Sequence, residues 1–174
     1  MTDFIHEPFD LVLIDHHTDM QSSIVGDMLS CGNWAKKALQ NPFLHRLYLI
    51  GPSKHDLKSV EQNKVLSYSI EELEQGTPIP LETKYPVYIS IDKDVLDERY
   101  AMTNWNQGDM SLGMLEDVLA HFLKNCEVIG IDICGDDPDI DDYPTYIKAE
   151  RINNISDDAL YQTAMKILKR RRKK

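Results

Sequence analysis

Residues 9–19 read FDLVLIDHHTD, an apolar run that leads directly into alternating carboxylates and imidazoles. A short run rich in Val, Ile and Leu, without polar alternation, predicts a strand that is buried on both faces. A second run of this kind, residues 87–92 (VYISID), opens onto Asp92, Lys93 and Asp94. Because open α/β sheets place their ligand sites at the carboxyl ends of the strands, the two clusters are expected to converge on one site.

The rest of the chain alternates between strand-like and helix-like segments. Strands are predicted at residues 9–15, 47–51, 65–68, 87–92 and 128–133, and helices at residues 29–40, 54–62, 70–75, 112–124 and 157–170. Ser111 and Ser156 are the predicted N-caps of the last two helices. This β-then-α order predicts right-handed crossovers and a three-layer αβα sandwich around a mainly parallel sheet. Residues 1–174 are expected to form a single domain.

Composition excludes several classes of function. The formal net charge of -10 argues against a nucleic-acid surface, and the basic residues 169–174 are predicted to be the solvated end of the last helix. No apolar run approaches the ~20 residues that span a bilayer, and the N-terminus lacks the pattern of a signal peptide. The three cysteines form no C-x-x-C pair and are expected to be core thiols of a reduced, cytoplasmic protein.

The two polar clusters have the donor chemistry of a metal site. In an extended segment alternate side chains share a face, so both clusters are predicted to aim their carboxylates one way, with His16 and Lys93 turned aside. Carboxylates this close repel one another unless a cation is bound, and mostly oxygen donors favour Mn, then Mg or Fe, over Zn. Two ions about 3.5 to 4 Å apart would activate a bridging water as the nucleophile. The predicted ligands are Asp15, His17, Asp19, Asp92 and Asp94.

These motifs resemble those of a known family. Residues 15–19 (DHHTD) resemble the D-A-H-x-D motif of the arginase and agmatinase family of ureohydrolases, and residues 90–97 (SIDKDVLD) resemble its S-x-D-x-D-x-x-D motif. The implied alignment covers residues 9–135. The resemblance implies the arginase/deacetylase fold, a binuclear manganese site built by the predicted ligands, and attack of a hydroxide on a guanidinium or amidine-like carbon of a small molecule. By position, Asp19 would orient that hydroxide.

Three positions depart from the family pattern. The family carries a further His ligand upstream of its first motif, and here only 14 residues precede Asp15, so either one metal site is incomplete or an N-terminal segment is lacking. Ala35 stands where arginases have a proton-shuttling His, which leaves His16 or His45 to protonate the product. The Glu that binds the guanidinium is replaced, shifted by one residue, by Asp136. Slow or absent turnover of arginine is therefore expected.

Two other interpretations stay open. Residues 91–95 also resemble the D-x-D-x-[VT] motif of haloacid-dehalogenase-type phosphatases, with Asp92 as nucleophile, Asp94 as acid/base, and residues 135–137 as the Mg-binding motif. That fold needs a longer interval between its motifs and leaves the first cluster without a role. The second alternative is a non-catalytic arginase-like domain that has lost its first ligand segment. The sequence leaves open the substrate and whether the chain forms a homo-oligomer.

Overall fold

The computed structural model describes residues 2–22, 28–60, 63–80, 83–136 and 142–171. One sheet contains β1 (Phe9–Ile14), β2 (Leu44–Gly51), β3 (Val65–Ser69), β4 (Val87–Asp92) and β5 (Val128–Cys134). Every pairing is parallel, and the strand order is β3-β2-β1-β4-β5. The predicted parallel sheet is confirmed, and the strand that carries the first motif lies at its centre, beside the strand that carries the second.

The helices lie on both sides of this sheet. They are α1 (Trp34–Ala38), α2 (Lys54–Leu57), α3 (Ile70–Glu74), α4 (Leu112–Asn125) and α5 (Tyr143–Arg171), with 3₁₀ turns at Thr2–Phe4, Cys31–Asn33 and Lys93–Val95. Ser111 caps α4 as predicted, since its Oγ accepts a hydrogen bond from the backbone N of Met114. Residues 29–40 form less helix than predicted, only a 3₁₀ turn followed by α1. In the described part of the chain, no helix combines the length and apolarity that a bilayer span requires.

The predicted start of the last helix is wrong. α5 begins at Tyr143, with Pro144 in its first turn, where a backbone N–H has no helical partner to lose. Ser156, the predicted N-cap, lies buried inside the helix and donates its hydroxyl hydrogen to the backbone carbonyl of Tyr100. In sequence, a serine before a helix-forming run looks like an N-cap. Here its hydroxyl bonds to a distant segment instead, and the helix continues through it.

The basic end of α5 is not wholly solvated. Its last turn carries Lys169, Arg170 and Arg171, while residues 172–174 lie outside the described part. The guanidinium of Arg171 donates hydrogen bonds to the backbone carbonyls of Leu123 and Cys126, which lie at the end of α4. This part of the basic tail therefore fastens α5 to α4.

Both faces of the central strand are buried, in separate clusters. Val12 and Ile14 of β1 pack into the larger cluster, beneath α4 and α5. Leu11 and Leu13 point the opposite way and pack into the smaller cluster, beneath α1. This alternation follows from the two-residue period of a strand and produces the predicted three-layer αβα sandwich.

The expectation of complete burial is wrong for β5. Ile129 and Ile133 are 48% and 37% exposed, and in the described part of the chain β5 is the last strand of the sheet, paired only with β4. The prediction that all three cysteines are core thiols is also wrong. Cys126 is buried, but Cys134, at the end of β5, and Cys31, in the turn before α1, are exposed.

Candidate metal centre

The first cluster is organised by a turn at the end of β1. The backbone N of Asp15 donates to the carbonyl oxygen of Ile50 at 3.0 Å, which continues the strand pairing up to Asp15. Asp15 is 2% exposed. Its Oδ1 accepts a hydrogen bond of 2.6 Å from the backbone N of His17. This bond closes a tight turn that brings the imidazole back toward the strand end.

The second cluster meets this turn directly. Nδ1 of His17 lies 2.8 Å from Oδ2 of Asp94 and 3.7 Å from Oδ1 of Asp15. The backbone N of His16 donates to the other oxygen of Asp94 at 3.1 Å. The ligand atoms of Asp15, His17 and Asp94 lie within 4.8 Å of one another, a grouping suited to a metal ion. The end of β1 and the segment after β4 thus form one site, as expected from neighbouring parallel strands.

Asp19 and Asp92 border the same space. Asp19 is buried and has a φ of 49°, in the left-handed region that Asp tolerates better than most residues. Oδ1 of Asp92 accepts a hydrogen bond of 3.0 Å from the backbone N of Asp94. A cavity of about 50 Å³ is lined by all of the predicted ligands and by Trp105. The structure places the predicted ligands around one cavity, and among the described residues three of them form the close group.

Burial makes the negative charge of this site costly. It raises the pKa of Asp15 well above its ordinary value, with further repulsion from the neighbouring carboxylates, although the hydrogen bond with His17 opposes the shift. Burial also raises the pKa of Asp19 to about 6. The pKa of Asp92 rises through burial and then repulsion from Asp94. A cation bound here would relieve these unfavourable interactions.

His17 responds in the opposite direction. Hydrogen bonds with Asp15 and then Asp94 raise its pKa to about 10, despite partial burial. The ring is therefore an imidazolium at neutral pH and supplies positive charge between the two carboxylates. Because a histidine coordinates metals in its neutral form, metal binding has to displace this proton.

The two proposed proton donors occupy different places. The ring of His16 packs against Gly108, where an added Cβ would lie 3.1 Å from its Nδ1. It also borders a cavity of about 300 Å³ that touches His17 and Asp19, so His16 stands at the edge of the site. His45 is at the opposite end of the sheet, with its Nδ1 2.9 Å from Oδ1 of Asp10. The suggestion that His45 protonates a product at this site is wrong.

Asp136 faces a neighbouring lysine. Its Oδ1 accepts a hydrogen bond of 2.6 Å from Nζ of Lys93, and its side chain is 68% exposed. Direct binding of a substrate cation by Asp136 would have to break this ion pair. The preceding Gly135 has a φ of 98°, and a Cβ there would lie 2.4 Å from Oδ1 of Asp92. This packing leaves no room for a side chain at residue 135.

Sequence reasoning missed a second cavity beside the first. Its volume is about 460 Å³, and it shares part of its lining with the ligand cavity. It is lined by Asp15, Asp19, Trp34, Tyr88, Ser90, Asp92, Asp132 and Cys134, among others. Ser90 Oγ donates to Asp132 Oδ1 at 2.8 Å, and burial followed by a hydrogen bond with Asp132 raises the pKa of Tyr88 to about 12. Ser90 and Asp92, two positions apart in β4, are the local signal for one wall of this cavity, whereas Asp132 joins it through the register of β5 against β4.

Comparison with known proteins identifies the family. A sequence model of the arginase family matches residues 1–154. The chain belongs to the arginase family. A relative from Thermotoga maritima, described only as an uncharacterized protein, is 34% identical over 149 residues, which make up 86% of this chain and 56% of that protein.

Solved structures show the same fold. Formimidoylglutamase from Bacillus subtilis superposes with a TM-score of 0.72 at 17% identity, over 93% of this chain and 54% of that one. A triple mutant of the T. brucei arginase-like protein, bound with Mn²⁺, superposes with a TM-score of 0.62 at 23% identity, over 91% and 53% of the two chains. This arginase-family chain spans about half the length of the relatives it matches. The match favours the arginase-like interpretation over the phosphatase-type one.

Proposed function

We propose that this arginase-family chain forms the metal centre of a hydrolase that cleaves a C–N bond in a guanidino, amidino or amide compound. The observation that carries the proposal is the convergence of Asp15, His17 and Asp94 within 4.8 Å, from two distant motifs. Family membership supports a hydrolase, and the Mn²⁺ bound by the triple mutant of the T. brucei arginase-like protein supports manganese as the metal.

The residues present fit a hard divalent cation. Buried carboxylates with raised pKa values and one imidazole are the donors that Mn²⁺ accepts, and the surplus of oxygen over nitrogen makes zinc a poorer match. Asp15, His17 and Asp94 would hold one ion. Asp19 and Asp92, which line the same cavity, supply the oxygens for a second. Bound Mn²⁺ would make a water nucleophilic at neutral pH.

The remaining chemistry falls to the side chains of this chain. Asp19 lines the ligand cavity, and from its position in the first motif we assign it the orientation of the attacking water. His16, at the edge of the site, is the proposed donor of a proton to the leaving amine. The ring of Trp105 meets that of His17 edge to face at 6.1 Å and lines the ligand cavity. The 460 Å³ cavity offers room for a substrate beside the carboxylates.

Metal analysis tests the ligand set. Metal-free protein is dialysed against Mn²⁺, and bound metal is compared between the wild type and the double variant Asp92→Asn with Asp94→Asn. The double variant should bind far less Mn²⁺. Asp117→Asn, which changes an exposed carboxylate on α4, is the matched control and should bind like the wild type. Equal binding by the double variant would show that the ligand assignment is wrong.

A substrate screen tests the reaction. Urea and ammonia release from guanidino, amidino and amide compounds is measured beside phosphate release from phosphomonoesters, with Mn²⁺ and with Mg²⁺. C–N cleavage that requires His17 supports the proposal. Phosphate release that disappears in Asp92→Asn but persists in His17→Ala would support the phosphatase-type alternative. Metal binding without either activity would support a non-catalytic arginase-like domain.

A further inference from the structure

Lys93 stands between two proposed metal ligands, yet its side chain leaves the site. The residue is 1% exposed. Its Nζ lies 2.6 Å from Oδ1 of Asp136 and 3.1 Å from Oδ2 of Asp157. A buried ammonium is costly unless it is paired, and here both carboxylate partners lie outside the segment that carries the ligands. Lys93 therefore joins this segment to α5 and to the loop after β5.

The lysine contact is one of a series along α5. Asn153, Ser156 and Asp157 are spaced so that they lie on one face of the helix. Asn153 makes two hydrogen bonds with the backbone of Met102, of 2.8 and 2.9 Å, and Ser156 donates to the carbonyl of Tyr100. This face of α5 thus contacts the segment after β4 at Lys93, Tyr100 and Met102. Of these three residues, Lys93 lies next to the proposed ligands.

The geometry of the ligands depends on that segment. Lys93 and Asp94 belong to the same 3₁₀ turn, in which the backbone N of Leu96 donates to the carbonyl of Lys93 at 3.0 Å. The backbone N of Gly108 donates to the carbonyl of Asp94 at 2.7 Å. Lys93 and Asp94 share the backbone of one turn, so an ammonium held by α5 also holds that backbone in place. The backbone of the turn in turn sets the direction of the Asp94 carboxylate.

We infer that Lys93 is a positioning residue for the metal centre: its ion pair with Asp157 holds the 3₁₀ turn so that Asp92 and Asp94 face His17. The inference rests on the proposed function. A lysine that acted only through its charge would weaken cation binding, so removing it would tighten the binding of Mn²⁺. If Lys93 is instead a positioning residue, removing it weakens the binding of Mn²⁺. The sign of the change therefore separates the two roles.

The test is Mn²⁺ affinity, measured by calorimetry on variants whose folding is verified by circular dichroism. Lys93→Met keeps most of the side-chain length without the charge, and Asp157→Asn removes the partner. Both should weaken Mn²⁺ binding by roughly tenfold or more, the usual cost of losing a group that orients a ligand. Lys93→Arg, which keeps the ion pair, should recover part of the affinity.

Arg99→Met is the matched control. It removes one positive charge from the same segment, and the Arg99 ion pair is with Asp97, within the segment. It should leave Mn²⁺ affinity unchanged or slightly raised. Hydrogen exchange gives a readout independent of metal: in Lys93→Met the amides of Asp94 and Leu96 should exchange faster, while those of β1 and β2 stay protected.

Each outcome is decisive. Unchanged or tighter Mn²⁺ binding by Lys93→Met, with a wild type that binds, overturns the positioning role and leaves the proposed function intact. A wild type that binds no Mn²⁺ overturns both. If Lys93→Met does not fold, hydrogen exchange in Asp157→Asn decides in its place, since Lys93 keeps Asp136 as a partner. Unchanged exchange at the amides of Asp94 and Leu96 would then overturn the positioning role.

Discussion

Nδ1 of His17 lies 2.8 Å from Oδ2 of Asp94, although 77 positions separate the two residues in the chain. This contact joins the turn that follows β1 to the turn that follows β4. Two motifs that are individually weak in sequence become one site because their strands are parallel neighbours.

His17→Ala should abolish tight Mn²⁺ binding. The substitution removes the nitrogen donor from the group of three ligand atoms that lie within 4.8 Å of one another. The expected loss of affinity exceeds about tenfold, as for removal of a metal's supporting contacts. His16→Ala is the control, since His16 holds Asp94 through its backbone N and that bond survives the substitution. Similar Mn²⁺ affinities in the two variants, measured by calorimetry, would contradict this account.

The metal-free protein should lose stability as the pH rises from about 5 to 9. The pKa of Asp19 is about 6 in the folded chain, against an ordinary 3.8, so between these values the folded state binds more protons. His17 contributes stability that is complete below its ordinary pKa of 6.5 and is lost as the pH approaches its folded pKa of about 10. Both Asp19 and His17 therefore make the free energy of unfolding fall with rising pH.

Urea unfolding with a chelator present, at about pH 5, 7 and 9, measures this slope. The exposed carboxyls whose pKa values are lowered titrate below about pH 5, so they do not affect the slope of stability against pH in this range. Asp19→Asn should flatten the part of the curve near pH 6. A stability that climbs steadily from pH 5 to 9 would show that the buried carboxyls do not behave as described.

Gly135→Ala should damage both the fold and the metal centre. The new Cβ would lie 2.4 Å from Oδ1 of Asp92 and 2.8 Å from the backbone N of Lys93, at a φ of 98°. We expect a loss of about 1–3 kcal/mol from backbone strain alone, and a further loss as Asp92 is displaced. Gly76→Ala is matched for backbone conformation, with a φ of 73°, and its Cβ would meet nothing within 4 Å. Chemical unfolding and Mn²⁺ titration of the two variants separate backbone strain from the clash with Asp92. Equal losses of stability and of Mn²⁺ affinity in the two variants would exclude an effect of the clash.

Contiguous apolar residues were sufficient to predict the strands. β1 is buried along its whole length and β4 along most of its length, and the predicted and observed bounds of both strands agree closely. The start of α5 was missed because its first half is stabilised by polar contacts with a distant segment. Asn153 and Ser156 look like solvent-facing or capping residues until Met102 and Tyr100 are brought beside them.

The candidate site, too, is only partly predictable from local sequence. The tight turn after β1, and not an extended segment as expected, brings Asp15 and His17 together, and the parallel sheet supplies Asp92 and Asp94. No local pattern reveals that Asp132 lines the adjoining cavity, since this depends on the register of β5 against β4. The pairing of Lys93 with Asp157 likewise depends on where α5 packs, which local sequence does not encode.

Mn²⁺ should raise the melting temperature of the protein in a concentration-dependent way, and more than Mg²⁺ does at equal concentration. A ligand that binds only the folded state adds RT ln(1 + [L]/Kd), about 2.7 kcal/mol at a hundredfold excess over Kd. The imidazole of His17 favours Mn²⁺ over Mg²⁺, which prefers oxygen donors and retains its waters. The difference between the two metals should therefore shrink in His17→Ala, while Asp117→Asn keeps it. Differential scanning fluorimetry with each metal measures these shifts, and a wild-type midpoint that stays constant across a wide Mn²⁺ titration would show that the carboxylates around His17 do not form a metal site in the folded chain.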